Sequence, residues 1–354
     1  MTTTTRLSST ALIRHPQRTL HSILPPVPPA PGSARGLPMG STGRQICRRT
    51  AAPVCRAATA GNIIGAHSSV WVGGWTEEDV RRSVRGAKTA GYDLVEVATL
   101  DPVSFLDKAD MTRELMQEAG LQVSNSLGLP ADCDINSEDS ECVRKGKEML
   151  LQTIEVAERM GSNHICGILY SAFQKYPGPT TVAARRNSVA AIREVASVAS
   201  DKGITLGMEV VNRYETNLLN TAAQAMDYVT DVNADNVVVH LDTYHMNIEE
   251  NSAAEAVKIC GGKLGYVHVG ESHRGYLGTG SVDFRGLFDA LVEIDYRGPI
   301  TFESFSNMVV HPSLSSTLAV WREMWDDPDD LAIQAKAFID SHLAMAKASR
   351  ILRK

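Results

Sequence analysis

Four ionisable residues in the second half of the chain each end a short apolar run: Glu209 in GMEVV, Asp242 in VVVHLDT, His268 in LGYVHVG and Glu303 in ITFES. Successive members are separated by roughly 30 residues, about the length of one strand-helix unit. Three carboxylates and one imidazole form an oxygen-rich donor set, which suits Mn²⁺, Mg²⁺ or Co²⁺ better than a thiophilic metal. A single acid at a strand end is commonly an ordinary hydrogen-bond acceptor, but three clustered carboxylates repel one another without a cation. The pattern therefore favours a metal site.

Further polar residues follow these four at short distances. Glu215, His245 and Arg274 are placed on the segments that leave the strands, where they can offer donors and acceptors to a polyhydroxylated ligand. Each of them taken alone is more typical of a surface loop. The glycine-containing run 278–284 predicts a loop that shapes the mouth of the site, and it is a weak match to a phosphate cradle.

The elements that must position these residues alternate regularly after residue 62. Short β-branched runs alternate with longer segments of helical period, which is the pattern of βα units and a parallel sheet. Glycines stand where four of the helices should end: Gly91, Gly120, Gly161 and Gly203. The predicted strands are 63–67, 94–98, 122–127, 164–169, 204–211, 237–242, 264–269 and 300–304. Eight such units predict a single (β/α)₈ TIM barrel over 61–354, in which strand-end residues meet at one mouth. The alternative, an open doubly wound sheet, lacks a GxGxxG motif after the first strand.

Charge is distributed unevenly along the 354 residues. The first sixty contain eight arginines, no lysine and no acidic residue. Because the formal net charge of the whole chain is −6 and this segment contributes +8, residues 61–354 carry −14. An acidic body of this kind argues against nucleic acid as a partner. No apolar run is long enough for a membrane span, and the six cysteines form no CxxC pair, so we interpret them as reduced thiols.

Residues 1–60 have the composition of a targeting segment. They are rich in Ser, Thr and Arg, and the proline-rich run 25–31 is incompatible with a helix or a central strand. We therefore predict a disordered transit peptide that directs the protein to the chloroplast stroma. The mitochondrion is the alternative destination, although the segment is not amphipathic, and a disordered regulatory tail is the alternative role.

The residues resemble a known family. The segments MEVVNRYETNLLNT, LDTYHMNIEE, HVGESHRGYLGTG and FESF are similar to those of the ketose 3-epimerases, which include D-tagatose and D-psicose (D-allulose) 3-epimerases of the xylose-isomerase-like TIM-barrel superfamily. The resemblance covers roughly 61–350. It implies metal-dependent epimerisation of a free ketose at C3 through an enediolate, for pairs such as D-fructose and D-psicose or D-tagatose and D-sorbose. It also implies a homodimer or homotetramer.

The resemblance assigns roles residue by residue. It implies one divalent metal, with Mn²⁺ expected and Mg²⁺ or Co²⁺ as alternatives, bound by Glu209, Asp242, His268 and Glu303. It makes Glu209 and Glu303 the two acid/base catalysts on opposite faces of C3. The substrate contacts that it implies are Glu215, His245, Arg274, Trp75 and Phe305. His67 departs from the family, because relatives commonly have an aromatic wall residue there, and this leaves the preferred sugar open.

Sibling activities on the same barrel remain open from the sequence. An aldose–ketose isomerase, a hydroxypyruvate isomerase or an inosose-type dehydratase would share the metal site and differ in the surrounding residues. A DNA-repair barrel related to endonuclease IV would need more metal histidines and a basic face. A barrel that binds sugar without turning it over would be expected to lose a ligand or a catalytic glutamate, and neither is lost here.

Overall fold

The computed structural model describes residues 61–353. The predicted transit peptide lies outside the described residues, so that prediction and its boundary near residue 60 stay untested. Among the described residues, no helix combines the length and the apolar character needed to cross a membrane.

Eight parallel strands close into a barrel in chain order, with β8 paired to β1. The strands are β1 Ile64–His67, β2 Leu94–Ala98, β3 Gln122–Leu129, β4 His164–Ala172, β5 Thr205–Val210, β6 Val237–Asp242, β7 Leu264–Val269 and β8 Ile300–Phe302. Every predicted strand is present, and the (β/α)₈ prediction is confirmed. β3 and β4 extend beyond their predicted ends because pairing continues past an irregularity at Gly128, up to Leu129 opposite Ala172.

Helices surround the barrel. They are α1 Glu77–Ala90, α2 Pro102–Leu106, α3 Ala109–Ala119, α4 Ser140–Met160, α5 Val182–Asp201, α6 Ala222–Val232, α7 Thr243–Glu249, α8 Ala253–Cys260, α9 Phe284–Glu293, α10 Pro312–Thr317 and α11 Pro328–Leu352. Local sequence accounts for their ends: Thr76 and Asp79 form a capping box at the start of α1. The four predicted terminal glycines follow α1, α3, α4 and α5, each with a positive φ.

Two kinds of side chain fill the structure. Residues such as Val95, Ile165 and Val239 lie in the hydrophobic core between strands and helices. The barrel interior is unusually polar for this architecture, whose inner layers are normally branched and apolar. Tyr266 on β7 shows this, because its hydroxyl bonds across the interior to Ser124 and to Thr301, at 2.8 Å each.

Candidate active site

The four predicted metal ligands converge at the carboxyl ends of four successive strands. Glu209, Asp242 and His268 are near the ends of β5, β6 and β7, and Glu303 directly follows β8. One ligand atom from each residue lies within 4.8 Å of the others. His268 Nδ1 is 3.5 Å from Glu209 Oε1 and 3.4 Å from Glu303 Oε1. The barrel thus gathers residues that are far apart in sequence into one buried donor set.

His268 is held from the opposite side of its ring by Glu96 on β2. The two side chains are fully buried, and His268 Nε2 lies 2.8 Å from Glu96 Oε2. Burial alone would lower the pKa of His268, but the charges of Glu96 and Glu303 outweigh it and raise that pKa well above its ordinary value. With Nε2 bound to a carboxylate, Nδ1 faces the other three ligands, which is the usual support for a metal-binding histidine.

Arg274 crosses the site from the loop after β7. Its Nη1 donates to Asp242 Oδ2 at 3.2 Å and to Glu303 Oε2 at 2.6 Å. The guanidinium also stacks on the ring of Tyr244, 3.9 Å from its centroid. Arg274 has a φ of 62°, a conformation that costs a non-glycine residue free energy and is retained where function requires it. This geometry fixes a buried cation at the edge of the donor set.

His245, Asn212 and Glu215 form a second polar group beside the ligands. The backbone amide of Asn212 donates to His245 Nδ1 at 3.1 Å, so in a neutral ring the proton is on Nε2. That nitrogen lies 3.6 Å from Asp242 Oδ2 and 3.8 Å from Glu215 Oε2. Burial and the nearby Arg274 and His268 cations lower the pKa of His245 well below its ordinary value. The imidazole therefore presents a neutral N–H donor to the site.

The carboxylates carry the chemical signature of a cation site. Burial raises the pKa of Glu209 to about 8 and that of Asp242 to about 6. Burial also acts to raise the pKa of Glu303, but the positive charges of His268 and Arg274 outweigh it and hold that pKa below its ordinary value. His268 Nδ1 is buried and has no hydrogen-bond partner among the described residues. A divalent cation would stabilise the ionised acids and use this free nitrogen, so the residues fit such an ion.

The pocket above the ligands is lined by most of the predicted substrate contacts: His67, Glu215, His245, Arg274 and Phe305. His67 packs edge-on to Phe305, with ring centroids 5.5 Å apart. Apolar residues complete the wall, among them Ile168, Phe173, Leu314 and Leu318. A polar floor with a partly apolar wall suits a sugar, which offers both hydroxyl groups and C–H faces.

Trp75 does not join this lining, in contrast to the expectation from the sequence. Its ring stacks on Phe105 at 6.3 Å, and its indole N–H donates to Thr112 Oγ1 at 3.1 Å. The side chain is 6% exposed, so packing and a satisfied donor direct it into the core beneath the loop.

Glu271 orders the loop that follows β7. Its carboxylate accepts hydrogen bonds from the amides of Ser272 and Gly278, at 2.8 Å each, while its carbonyl accepts from the amide of Arg274 at 2.9 Å. The run 278–284 is thus tied to Glu271 by hydrogen bonds, and its role in shaping the mouth of the pocket stays a prediction.

Two contributors to this geometry were missed by reasoning from the sequence. Glu96 is the one charged residue in the run LVEVA, and that signal could have marked it as an inward-pointing group. Tyr244 carries no comparable signal, because an aromatic after a strand is common and its stacking on Arg274 depends on the tertiary structure.

Comparison with known proteins places this site in a family. Residues 84–340 match the family described as Xylose isomerase-like TIM barrel. The L-ribulose 3-epimerase of Methylomonas sp. is 52% identical over 275 residues, which are 78% of this chain and 96% of the relative. The ketose 3-epimerase of Arthrobacter globiformis is 48% identical over 284 residues, covering 80% of this chain and 98% of the relative.

Comparison with solved structures also finds 3-epimerases. The crystal structure of D-allulose 3-epimerase from Methylomonas sp. in complex with D-allulose superimposes with a TM-score of 0.78 at 50% identity, covering 80% of this chain and 97% of that chain. The structure of an L-ribulose 3-epimerase gives a TM-score of 0.80 at 42% identity, covering 83% and 98%. With the barrel and its four convergent strand-end ligands, these matches show that the chain belongs to the ketose 3-epimerases of the xylose isomerase-like TIM barrel family.

Proposed function

We propose that this protein epimerises free ketoses at C3, using one divalent cation held by Glu209, Asp242, His268 and Glu303. Mn²⁺ is the expected ion, with Mg²⁺ and Co²⁺ as alternatives, because the donor set is oxygen-rich with a single nitrogen. Glu209 and Glu303 act as the two acid/base groups. Family membership supports the reaction class, and the geometry of the four ligands supports the cation.

The observation that carries the proposal is the placement of two glutamates around one buried imidazole. Glu209 Oε1 and Glu303 Oε1 lie 3.5 and 3.4 Å from the same nitrogen, His268 Nδ1, and they come from two different strand ends. Two carboxyl groups placed on separate strands in this way are suited to serve as one acid and one base. Inversion at C3 requires that pair, since one group removes the proton and the other returns a proton to the opposite face.

The remaining residues orient the sugar and stabilise the enediolate. A divalent cation bound to these ligands supplies Lewis-acid polarisation of the oxygens next to C3. His245 presents its Nε2 proton, and Arg274 its guanidinium, to the oxygen on which negative charge develops. Glu215 accepts hydrogen bonds from substrate hydroxyl groups, and Phe305 and His67 exclude water from one side of the pocket. For the reverse reaction Glu209 and Glu303 exchange roles.

The test is conducted in deuterated water with Mn²⁺-loaded protein and a panel of ketoses that includes D-fructose, D-tagatose and L-ribulose. We expect a C3 epimer that carries deuterium at C3. Glu303→Gln should reduce turnover by about 10³-fold or more while sugar binding persists, because general acid–base groups contribute on this scale. Glu209→Gln should behave in the same way, and the exposed Glu194→Gln should serve as the control. Near-normal turnover in either active-site variant contradicts the scheme, and an aldose product would indicate a sibling isomerase.

A further inference from the structure

Beneath the ligands, the barrel interior contains a thiol and two imidazoles that the proposed reaction does not use. Cys166 and His164 are on β4 and His240 is on β6, all of them buried. Both ring nitrogens of His240 and Nε2 of His164 have no hydrogen-bond partner among the described residues. Buried polar atoms are almost always paired, so three unpaired nitrogens in one place require an explanation.

The donor atoms in this cluster are already close to one another. One atom each from Cys166, His240 and His268 lies within 4.8 Å of the other two. Gly207 on β5 packs tightly against these residues: a Cβ at that position would lie 2.9 Å from His164 Nε2, 3.2 Å from Cys166 Cβ and 3.5 Å from His240 Cβ. The absence of a side chain at Gly207 thus leaves the room that the three neighbouring side chains occupy.

We propose that Cys166, His240 and His268 form a second metal site, selective for a thiophilic cation such as Zn²⁺, whose occupancy antagonises the carboxylate site above it. Sulfur and imidazole nitrogen are the ligands that Zn²⁺ prefers, whereas Mg²⁺ and Mn²⁺ prefer oxygen. On binding, the Cys166 thiol releases its proton to solvent and the thiolate coordinates the cation.

Antagonism follows from the sharing of His268. Its Nε2 is bonded to Glu96 at 2.8 Å, and its Nδ1 faces Glu209 and Glu303. Whichever nitrogen a thiophilic ion takes, it removes either the ring's support or its contact with the carboxylate site. The two sites differ in ligand chemistry but depend on one imidazole, so ions of the two classes should displace each other.

The experiment uses Cd²⁺ as a spectroscopic probe for thiophilic binding, with the full-length chain in metal-free form under anaerobic conditions. Cys47 and Cys55, which lie outside the described residues, and the partly exposed Cys133 and Cys142 are replaced by Ser throughout, because these thiols would otherwise bind the probe. The readout is the ultraviolet thiolate-to-metal charge-transfer band, which does not depend on enzymatic activity. Cys166→Ala and His240→Leu remove one donor each, while Cys260→Ala removes another buried cysteine as the matched control.

We expect a saturable band that is lost in Cys166→Ala, weakened at least tenfold in affinity in His240→Leu, and retained in Cys260→Ala. Saturating Mn²⁺ should raise the Cd²⁺ concentration at half-saturation at least tenfold. Circular dichroism of each variant shows whether it is folded, and Cys166→Ser provides a second, smaller perturbation with the same expected loss of the band. The proposal is overturned if no band appears, if the band survives in Cys166→Ala, or if Mn²⁺ leaves the Cd²⁺ titration unchanged. The appearance and loss of the band are independent of the proposed function, because no step measures epimerisation. The antagonism rests on the Mn²⁺ site of the proposed function, so calorimetric titration with Mn²⁺ alone first shows that this site binds the ion.

Discussion

At the scale of single residues, His268 is the point on which the site depends. Its ring lies between Glu96 on one side and the carboxylates of Glu209 and Glu303, the two proposed acid/base groups, on the other. A ring free to rotate would present Nδ1 to the proposed cation only part of the time. We therefore propose that Glu96 is a positioning residue, which acts through His268.

This role predicts a specific defect in Glu96→Gln. The amide keeps the shape but loses the charge that fixes the ring, so the dissociation constant for Mn²⁺ should rise by about 10- to 100-fold. At saturating Mn²⁺, kcat should recover most of its value, since the catalytic glutamates are intact. Calorimetric titration with Mn²⁺ and turnover at several metal concentrations separate the two effects. A loss of kcat that excess metal does not restore would contradict a positioning role, and the surface variant Glu194→Gln should match the unmodified protein.

The carboxylates also predict how metal-free stability depends on pH. The pKa of Glu209 is about 8 and that of Asp242 about 6 in the folded protein, both above the unfolded values. At these two sites the folded state therefore binds more protons than the unfolded state, and their contribution to the free energy of unfolding falls as pH rises through the folded pKa values. Burial lowers the pKa of His67, His164, His240 and His245, so these histidines oppose the trend until the pH exceeds the ordinary histidine value. His268, whose pKa is also raised, changes stability in the same direction. Glu303 has a lowered pKa and contributes the opposite slope only at more acidic pH.

Thermal unfolding tests this dependence. From about pH 7.5 to about pH 8.5, where histidines of the unfolded chain are already neutral, the Tm of metal-free protein should fall as Glu209 ionises, and the stabilisation by added Mn²⁺ should grow because the ionised acids then gain a counter-charge. Glu209→Gln should flatten this part of the metal-free curve. An increase in the Tm of metal-free protein across this range would contradict the prediction, because it would show that ionising the buried carboxyl groups does not destabilise the folded state.

Residue types and spacing were sufficient to predict that four ionisable side chains converge, but not to predict all their neighbours. Glu209, Asp242, His268 and Glu303 could be predicted because ionisable groups at the ends of apolar runs are costly to bury without a purpose. Trp75 is not among the residues that line the pocket, since its orientation depends on Phe105 and Thr112, which come from later helices, and its predicted contact with the substrate stays a prediction. Side-chain packing between residues that are distant in sequence cannot be predicted from the periodicity of apolar residues.

At the scale of elements, the junction of β3 and β4 forms one wall of the pocket. Gly128 and Gly167 line the pocket on these neighbouring strands, and pairing becomes irregular just after Gly128. Gly167 has a φ of 113°, and a Cβ there would lie 2.2 Å from the carbonyl oxygen of Leu127. The irregularity was not predictable from the apolar pattern, which indicates where strands run but not where their hydrogen bonding shifts.

Gly167→Ala should consequently be costly for the fold. It combines an unfavourable φ with a clash against backbone, so the free energy of unfolding should fall by about 3 kcal/mol or more. Gly203→Ala is the matched control, because its φ of 71° is also positive but nothing lies within 4 Å of the added Cβ. In Gly203→Ala, backbone strain alone should lower the free energy of unfolding by about 1–2 kcal/mol. Urea unfolding of both variants measures the difference, and equal losses would mean that the contact with Leu127 is relieved at no cost.

At the scale of the whole molecule, the chain combines an acidic barrel with a basic N-terminal segment. Eight parallel strands close in chain order, which confirms the predicted barrel. The sequence could predict this fold because eight repeats of one strand-helix pattern are compatible with few other folds. Closing the barrel also brings the charged strand ends together. Quaternary structure depends on which surfaces meet a second copy, and the alternation of strands and helices carries no information about that. The predicted homodimer or homotetramer therefore stays a prediction, to be measured by sedimentation of the metal-loaded protein.

The last prediction concerns the N-terminal segment, residues 1–60. Residues 1–60 contain eight arginines and no acidic residue, whereas residues 61–354 have a net charge of −14. We propose that this segment is a transit peptide, so 1–60 fused to a fluorescent protein should accumulate in the chloroplast stroma of a photosynthetic cell, and 61–354 fused in the same way should not. Replacing four of the arginines by Glu should prevent import while leaving the epimerase activity of the purified protein unchanged. Fluorescence in mitochondria would favour the alternative destination, and diffuse cytosolic fluorescence of the 1–60 fusion would favour a regulatory tail.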